Sequence, residues 1–245
     1  MKLFAFSKFI PVLVAAVTLI YSGNEAFSTI RAQQDIVDNA KNNILKITSE
    51  NALKIDNFQV VREQLSIEIE KLIANTPVNS SSLSDKLGVW KQLWTDDLDD
   101  LRANNAFQKT DKLRTYQVVF DNGIFYNLTE VKTLFGRFSG FLRGVYEVNG
   151  DDLQLEFTKI RLKRGNLGEE NELKYLTRDF EIGKVKNTFK IPFASDKYPN
   201  GPVGAKGTIR TIYIDKDLRI DIGSNDADGV EDLFILQKIG ENQLI

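Results

Sequence analysis

The stretch that most constrains the fold is Thr208–Gln237, where three short runs of alternating apolar and polar residues follow one another. A tight polar turn, Asp215–Asp217, separates the first two runs, and the Gly-, Asn- and Asp-rich segment Gly223–Asp232 separates the last two. Alternation with a period of two and short turns predict an antiparallel meander, which suggests a sheet that closes on itself. The three runs are Thr208–Ile214, Leu218–Ile222 and Leu233–Leu236.

The same period of two continues through the middle of the chain from Leu87 onward, where glycine- and proline-containing turns separate further runs. About eight strands at this spacing are typical of a barrel or a sandwich. A barrel of about eight strands has an interior just wide enough for side chains or for one small ligand. The pattern alone leaves open which of the two occupies it. The further runs are Tyr116–Phe120, Phe138–Val148, Leu153–Leu162 and Phe180–Phe193.

Two amphipathic segments precede the β region. In Gln33–Thr48 and Phe58–Ala74 the apolar residues recur at helical spacing, and Pro77 stops the second segment. Residues 33–76 are therefore expected to form a helical pair, either packed on the sheet or lying on a membrane surface. Their polar faces carry both signs of charge, which argues against strong attraction to a membrane. The expected fold class is mainly β with N-terminal α: an antiparallel barrel over residues 87–239, flanked by the helical pair.

Composition excludes several kinds of chemistry. The chain of 245 residues contains neither cysteine nor histidine, which excludes disulfides, thiolate nucleophiles, Cys/His zinc sites and His-dependent triads. The formal net charge is −2 and the basic residues are scattered, so nucleic acid is not expected as a partner. Chemistry based on tyrosine, lysine, serine, threonine or carboxylates stays possible. No spacing singles out a catalytic or metal site, and we expect no cofactor.

Residues 1–28 have the pattern of an export signal. Lys2 and Lys8 precede a short apolar run, Phe9–Tyr21, and small residues follow at Ala26 and Ser28. The run is shorter than the roughly 20 apolar residues of a membrane span, although an uncleaved N-terminal anchor is the alternative. The pattern predicts export, to a bacterial periplasm or as a secreted protein.

Two motifs resemble the plastid lipid-associated protein (fibrillin) family. The sequence Gly88–Thr95 resembles the Gly-x-Trp strand, ending in an aromatic-Thr pair, that opens the barrel of that family. Tyr213–Ile220 followed by Phe234–Leu236 is similar to its Tyr-Leu-Asp-(Asp/Glu)-x-Leu-Arg-Ile pattern and closing strand. The resemblance covers roughly residues 35–238. The chain departs from the family at Ile222, where a second Arg usually precedes the glycine.

The resemblance implies a lipocalin-like barrel that binds or sequesters a hydrophobic small molecule of the lipid or isoprenoid type without catalysis. It implies peripheral membrane association, or a position at a lipid globule. A plastid location, at the thylakoid or plastoglobule, becomes the alternative to export, since Glu25–Ser28 resembles the Ala-Phe junction of bipartite plastid signals. An apolar ligand would contact six residues of the predicted strands: Tyr116, Phe120, Leu142, Tyr146, Phe157 and Tyr213.

A structural clamp is expected where the barrel closes. Trp90 belongs to the first predicted strand and Arg219 to a late one. A guanidinium over an indole face is stabilised by roughly 0.5–2 kcal/mol, depending on exposure. Asp217 is expected to pin its turn or to pair with Arg219.

Two other functions remain open at this point. One is a lipocalin-fold enzyme that acts on a small apolar substrate through tyrosine or carboxylate chemistry. The other is a purely structural coat protein of lipid globules with a filled barrel. An internal cavity would separate ligand binding from the filled barrel, and a convergent group of Tyr, Asp and Glu side chains in that cavity would favour the enzyme.

Overall fold

The structure is a computed structural model of the chain. The side chains of residues 10–28 and 131–133 are outside its description. It describes residues 10–51, 57–76, 82–97, 114–133, 136–189, 202–226 and 229–239.

The described helices lie mostly ahead of the strands. They are α1 (Ile10–Asn51), α2 (Phe58–Asn75), α3 (Leu83–Lys86) and α4 (Leu173–Glu181), the last preceded by a 3₁₀ turn, Glu170–Glu172. The strands are β1 (Gly88–Thr95), β2 (Thr115–Val119), β3 (Ile124–Thr133), β4 (Gly136–Asn149), β5 (Asp152–Arg164), β6 (Thr188–Phe189), β7 (Lys206–Ile214), β8 (Leu218–Asn225) and β9 (Glu231–Lys238).

Eight of these strands close into a barrel. Each pairs antiparallel with its neighbours in the order β1, β2, β3, β4, β5, β7, β8 and β9, and β9 returns to β1. The short strand β6 adds to the edge of β5. The predicted fold class, a mainly β chain with N-terminal helices and an antiparallel, lipocalin-like barrel, is confirmed.

Helices α1 and α2 pack on the outer surface of the barrel. The apolar face of α2 is buried against a cluster that includes Trp94, Ile220 and Ile235. The ring of Phe58 stacks on that of Trp94, with 5.8 Å between the ring centroids and 18° between the planes. Because burial of one large apolar side chain contributes roughly 1.5–3 kcal/mol, this face anchors the helical pair to the sheet.

Asp215, in the turn between β7 and β8, ties α1 to the barrel. Its carboxylate accepts a hydrogen bond of 2.5 Å from Lys41 of α1 and one of 2.7 Å from the Tyr213 hydroxyl. The backbone N–H groups of Asp217 and Leu218 each donate to the other oxygen at 2.8 Å. Burial by itself raises the pKa of this carboxyl, but the four hydrogen bonds outweigh it and hold the pKa below its ordinary value.

Replacing Asp215 with asparagine is expected to lower the free energy of unfolding at pH 7 by about 1–3 kcal/mol, because charge-assisted hydrogen bonds are lost. A lowered pKa in the folded state stabilises the protein above the unfolded value of about 4, and this contribution disappears as the pH falls through the folded pKa. The difference between the two proteins should therefore shrink between pH 5 and pH 2. Urea unfolding across this range checks it, with Asp217→Asn as the exposed control on the same turn.

Helix α4 and the 3₁₀ turn cover a second region of the outer surface. Phe180 of α4 stacks on Phe141 of β4 at 4.7 Å and meets Tyr126 of β3 edge-on at 5.8 Å. The prediction of a strand over Phe180–Phe193 is wrong for the described residues, which form the end of α4 and the two-residue strand β6. Leu173, Thr177 and Phe180 form one buried helical face, and this spacing competes with the alternation that follows it.

Register shifts move side chains between the two faces of the barrel wall. Two of them occur in β1 between Gln92 and Trp94, and in β7 between Thr211 and Tyr213. Since successive strand residues alternate between faces, one extra residue sends every later side chain to the opposite face. Trp94 and Tyr213 consequently pack against the helices outside the barrel.

The predicted signal segment lies largely outside the described residues. Residues 1–9 and the side chains up to Ser28 are not described, while the backbone of residues 10–28 continues α1. Within the described part of the chain, no helix combines the length and the apolarity that crossing a membrane requires.

Candidate functional site

The barrel contains a cavity of about 480 Å³. Its rim includes Asp97, Lys206, Asn225 and Asp232, which lie where β1 and β8 end and where β7 and β9 begin. The cavity therefore lies toward this end of the barrel, opposite α3. Most of its wall consists of apolar side chains: Leu142, Phe157, Ile160, Leu162, Phe234 and Leu236.

A polar panel interrupts this apolar wall. It consists of Thr115 and Gln117 on β2 and of Asn127 and Thr129 on β3. Thr115 is the register partner of Thr129, and Gln117 is that of Asn127, so the four side chains lie side by side on the inner face. Gln92 of β1 also lines the cavity.

Arg219 and Asp221 form a buried ion pair at the inner end of the cavity. The Arg219 Nε lies 2.9 Å from Asp221 Oδ2, and each residue is 1% exposed. Arg219 also donates to the Lys86 carbonyl oxygen at 3.3 Å and to Gln117 Oε1. The Thr211 hydroxyl donates to Asp221 Oδ1 at 2.8 Å. Burial raises the pKa of Asp221 and lowers that of Arg219, and their mutual attraction opposes both shifts.

The Arg219 guanidinium lies over the indole ring of Trp90, with 4.7 Å from Cζ to the ring centroid. The Trp90 Nε1–H donates to the Lys86 carbonyl at 2.9 Å, so one carbonyl serves both partners. This cluster joins β8 to β1, β2 and α3 through the inside of the barrel. Asp217, the third residue predicted for the clamp, is exposed in its turn and does not pair with Arg219. Asp221, two residues after Arg219 on β8, pairs with Arg219 instead because its side chain faces the interior.

The end of the barrel near α3 is filled with side chains. Phe125, Tyr146 and Leu153 are buried there, with Phe157 packed against them. The rings of Phe125 and Phe157 lie 5.4 Å apart. The Tyr146 hydroxyl donates to the Phe120 carbonyl, and burial raises the pKa of Tyr146. The interior thus combines a packed core near α3 with a cavity at the other end.

Two glycines on the inner face of β4 separate these regions. A Cβ at Gly144 would lie 2.1 Å from the Phe125 ring and 2.9 Å from the Glu156 carbonyl oxygen, whereas a Cβ at Gly140 would meet Leu162 at an ordinary 3.6 Å. Gly144→Ala is expected to lower the free energy of unfolding by about 1–3 kcal/mol through overpacking. Gly140→Ala is expected to leave it unchanged or raise it by up to about 1 kcal/mol. Urea denaturation of both variants checks this. Equal changes in the free energy of unfolding would contradict the division of the interior into a filled core at Gly144 and a cavity at Gly140.

The structure divides the six residues predicted to contact a ligand. Leu142 and Phe157 line the cavity. Tyr146 lies in the filled core at the inner end, and Tyr213 is turned outward by the register shift in β7. The other member that borders the cavity is Tyr116.

The ring of Tyr116 packs outward beneath α4, together with Phe120, and its hydroxyl donates to Glu170 at 2.9 Å. Burial raises the pKa of Tyr116 to about 12. The reason for this placement is that β2 turns its polar face inward. The apolar face carrying Tyr116 and Val118 is covered from outside by α4.

Sequence reasoning missed the polar panel and Asp221. The alternation of β2 shows that Thr115 and Gln117 share a face, but an apolar interior is the usual expectation. Ile222, where the chain departs from the fibrillin pattern, follows Asp221 on β8 and pairs with Arg210. Strand alternation therefore directs it away from the cavity.

The described groups that line the cavity are apolar side chains, hydrogen-bonding side chains and, at the rim, the charged side chains of Asp97, Lys206 and Asp232. Asp221 already contacts Arg219 and Thr211, and the hydroxyls of Tyr116 and Tyr213 bond to carboxylates outside the barrel. Among the described residues, no group of three or more acidic side chains is placed to hold a metal ion.

Fold and cavity together define an antiparallel β-barrel of the kind compatible with small-molecule binding. No protein-family model and no curated protein matches this sequence.

Proposed function

We propose that this protein binds or sequesters a hydrophobic small molecule of the lipid or isoprenoid type inside its barrel, without catalysing a reaction. The observation that carries the proposal is the cavity of about 480 Å³ with a mainly apolar wall. Sites for small molecules are typically concave, largely apolar and about 300–1,000 Å³ in volume. The cavity favours ligand binding over a coat protein with a filled barrel.

Two further observations support binding rather than catalysis. Among the described residues, the hydroxyl of Tyr116, the tyrosine that borders the cavity, bonds to Glu170 outside the barrel, and the carboxylates of the lining do not form a cluster. The carboxylate nearest the centre, Asp221, is held by Arg219. The resemblance of Gly88–Thr95 and Tyr213–Ile220 to the fibrillin family supports a lipid-type ligand and a position at or near a membrane or lipid globule.

The direct test is to extract the protein after native-like expression and to identify the bound lipids by mass spectrometry. We expect one class of hydrophobic molecule at a stoichiometry approaching one per chain. The matched control is the cavity-filling variant Gly140→Phe, which should carry much less of it. If the unmodified protein carries no lipid and also fails to bind the neutral apolar dye Nile red, the proposal is overturned.

A further inference from the structure

Three members of the polar panel, Thr115, Asn127 and Thr129, have no side-chain hydrogen bond among the described residues, whereas Gln117 is held by Arg219. The Thr115 hydroxyl is buried, with the residue 8% exposed, and makes no hydrogen bond in the described part of the chain. No side-chain hydrogen bond of Asn127 or Thr129 is found among the described residues either. Asn127 and Thr129 are only partly buried and lie on the same inner face as Thr115. Buried polar groups in native proteins almost always have a partner, so the Thr115 hydroxyl indicates one that the described residues do not provide, and Asn127 and Thr129 offer further polar groups beside it.

The rest of the cavity wall next to the panel is apolar. Moving around the barrel, Asn127 on β3 pairs with Leu142 on β4, which in turn pairs with Ile160 on β5. Two residues along β3, Thr129 pairs with Gly140. Because Gly140 has no side chain, the space between the panel and the apolar wall is open there. A molecule in this space meets hydroxyl and amide groups along one side and hydrocarbon along the other.

The charges around the cavity disfavour an anionic ligand. Among the described residues, the charged side chains that line it are Asp97, Asp221, Asp232 and Lys206, the last being the one cation of this set. Lys206 lies at the rim, 3.6 Å from Glu156 and largely exposed. Arg219, at the inner end, is already engaged by Asp221 and Gln117. A carboxylate deep in the cavity would lose its hydration without gaining a cation from the described residues around it, which is strongly unfavourable.

From these observations we infer that the ligand is neutral and carries hydrogen-bonding groups along one side, which contact Thr115, Asn127 and Thr129. Suitable groups are hydroxyl, ketone, ester and amide groups on an apolar skeleton. This inference rests on the proposed function and narrows it. It excludes ionised fatty acids and unsubstituted hydrocarbons as the preferred ligands.

The test compares three probes of equal chain length: 1-dodecanol, dodecane and dodecanoate. Each is titrated at pH 8 as a competitor of Nile red bound to the full chain. We expect dodecanol to bind at least about tenfold more tightly than dodecanoate. One neutral hydrogen bond should give it an advantage of roughly threefold to tenfold over dodecane.

Variants then assign this preference to the panel. Asn127→Leu combined with Thr129→Val should reduce the advantage of dodecanol over dodecane to less than about twofold. Because neither side chain has a hydrogen-bond partner to lose among the described residues, the thermal midpoint of the ligand-free protein should not fall. Thr188→Val makes the same chemical change on β6, outside the cavity, and should leave all three affinities unchanged. A loss of stability in the double variant would indicate a structural role and overturn the assignment.

The possible outcomes separate this inference from the proposed function. Equal affinities for the three probes, or tighter binding of dodecanoate, combined with loss of binding in Gly140→Phe, would overturn the inference and leave the proposed function standing. An unchanged preference in the double variant would show that the panel holds only water and would also overturn it. If none of the probes displaces Nile red and lipid extraction finds nothing, both fail.

Discussion

Replacing Arg219 with methionine is expected to lower the free energy of unfolding by about 3–5 kcal/mol at pH 7, which makes it one of the most damaging single changes in the barrel. Methionine keeps most of the side-chain volume but removes the charge, and it leaves Asp221 unpaired at 1% exposure. The contacts with the Trp90 ring and the Lys86 carbonyl are lost as well. Guanidinium chloride unfolding at equilibrium measures the loss.

A second variant and a change of pH identify the cause. If the cost comes from the unpaired carboxylate, the double variant Arg219→Met with Asp221→Leu should be markedly less destabilised than the sum of the single changes. The pKa of Asp221 without its partner is raised above its unfolded value of about 4. A raised carboxyl pKa favours the folded state at low pH, so the deficit of Arg219→Met should be smaller at pH 5 than at pH 8. An equal loss of unfolding free energy at pH 5 and pH 8 would show that the unpaired Asp221 carboxylate is not the cause.

Filling the cavity from Gly140 is expected to reduce ligand affinity at least tenfold, which corresponds to about 1.4 kcal/mol. The position is suitable because a Cβ there makes only ordinary contacts and would project toward Leu162 and Thr129 at the cavity wall. A phenyl ring at residue 140 would occupy space that the ligand needs, while the filled core near Gly144 stays untouched. Nile red titration of Gly140→Phe measures the affinity, and circular dichroism establishes that the barrel is intact.

Val148→Phe is the matched control for this prediction. It adds a phenyl ring on the same strand, β4, at a position that is 51% exposed and lies outside the cavity. It should bind Nile red as the unmodified protein does. Retention of full affinity by Gly140→Phe would show that the dye binds elsewhere on the surface, and the cavity would lose its assigned role.

Much of the fold could be predicted because strand alternation and turn residues are local signals. The meander that became β7, β8 and β9 was visible in residues 208–237, and the helices α1 and α2 were visible as amphipathic segments in residues 33–74. The helix α4 was not predicted, because it is only nine residues long and an alternating run follows it directly in the sequence. Short helices of this kind gain most of their stability from packing, here of Phe180 on Phe141.

The site was less predictable, because the sequence does not show which face of each strand turns toward the inside of the barrel. Alternation shows that Tyr116 and Val118 share one face of β2, but not that α4 covers that face from outside. The register shift before Tyr213 has no evident signature in the local sequence, although it decides that the ring lies outside the barrel. A single extra residue in a strand is enough to reverse such an assignment.

The sequence by itself determined that this chain forms an antiparallel barrel with a helical flank, since periods of 3.6 and 2 follow from backbone geometry that every residue shares. It also paired Trp90 with Arg219, whose side chains meet inside the barrel although β9 separates their strands. Only the tertiary structure decided that Asp221 is the partner of Arg219, that the barrel is filled near α3 and hollow toward its other end, and that a polar panel lines the cavity. These features depend on how strands far apart in the chain are aligned across the barrel, and that alignment is fixed only when the sheet closes.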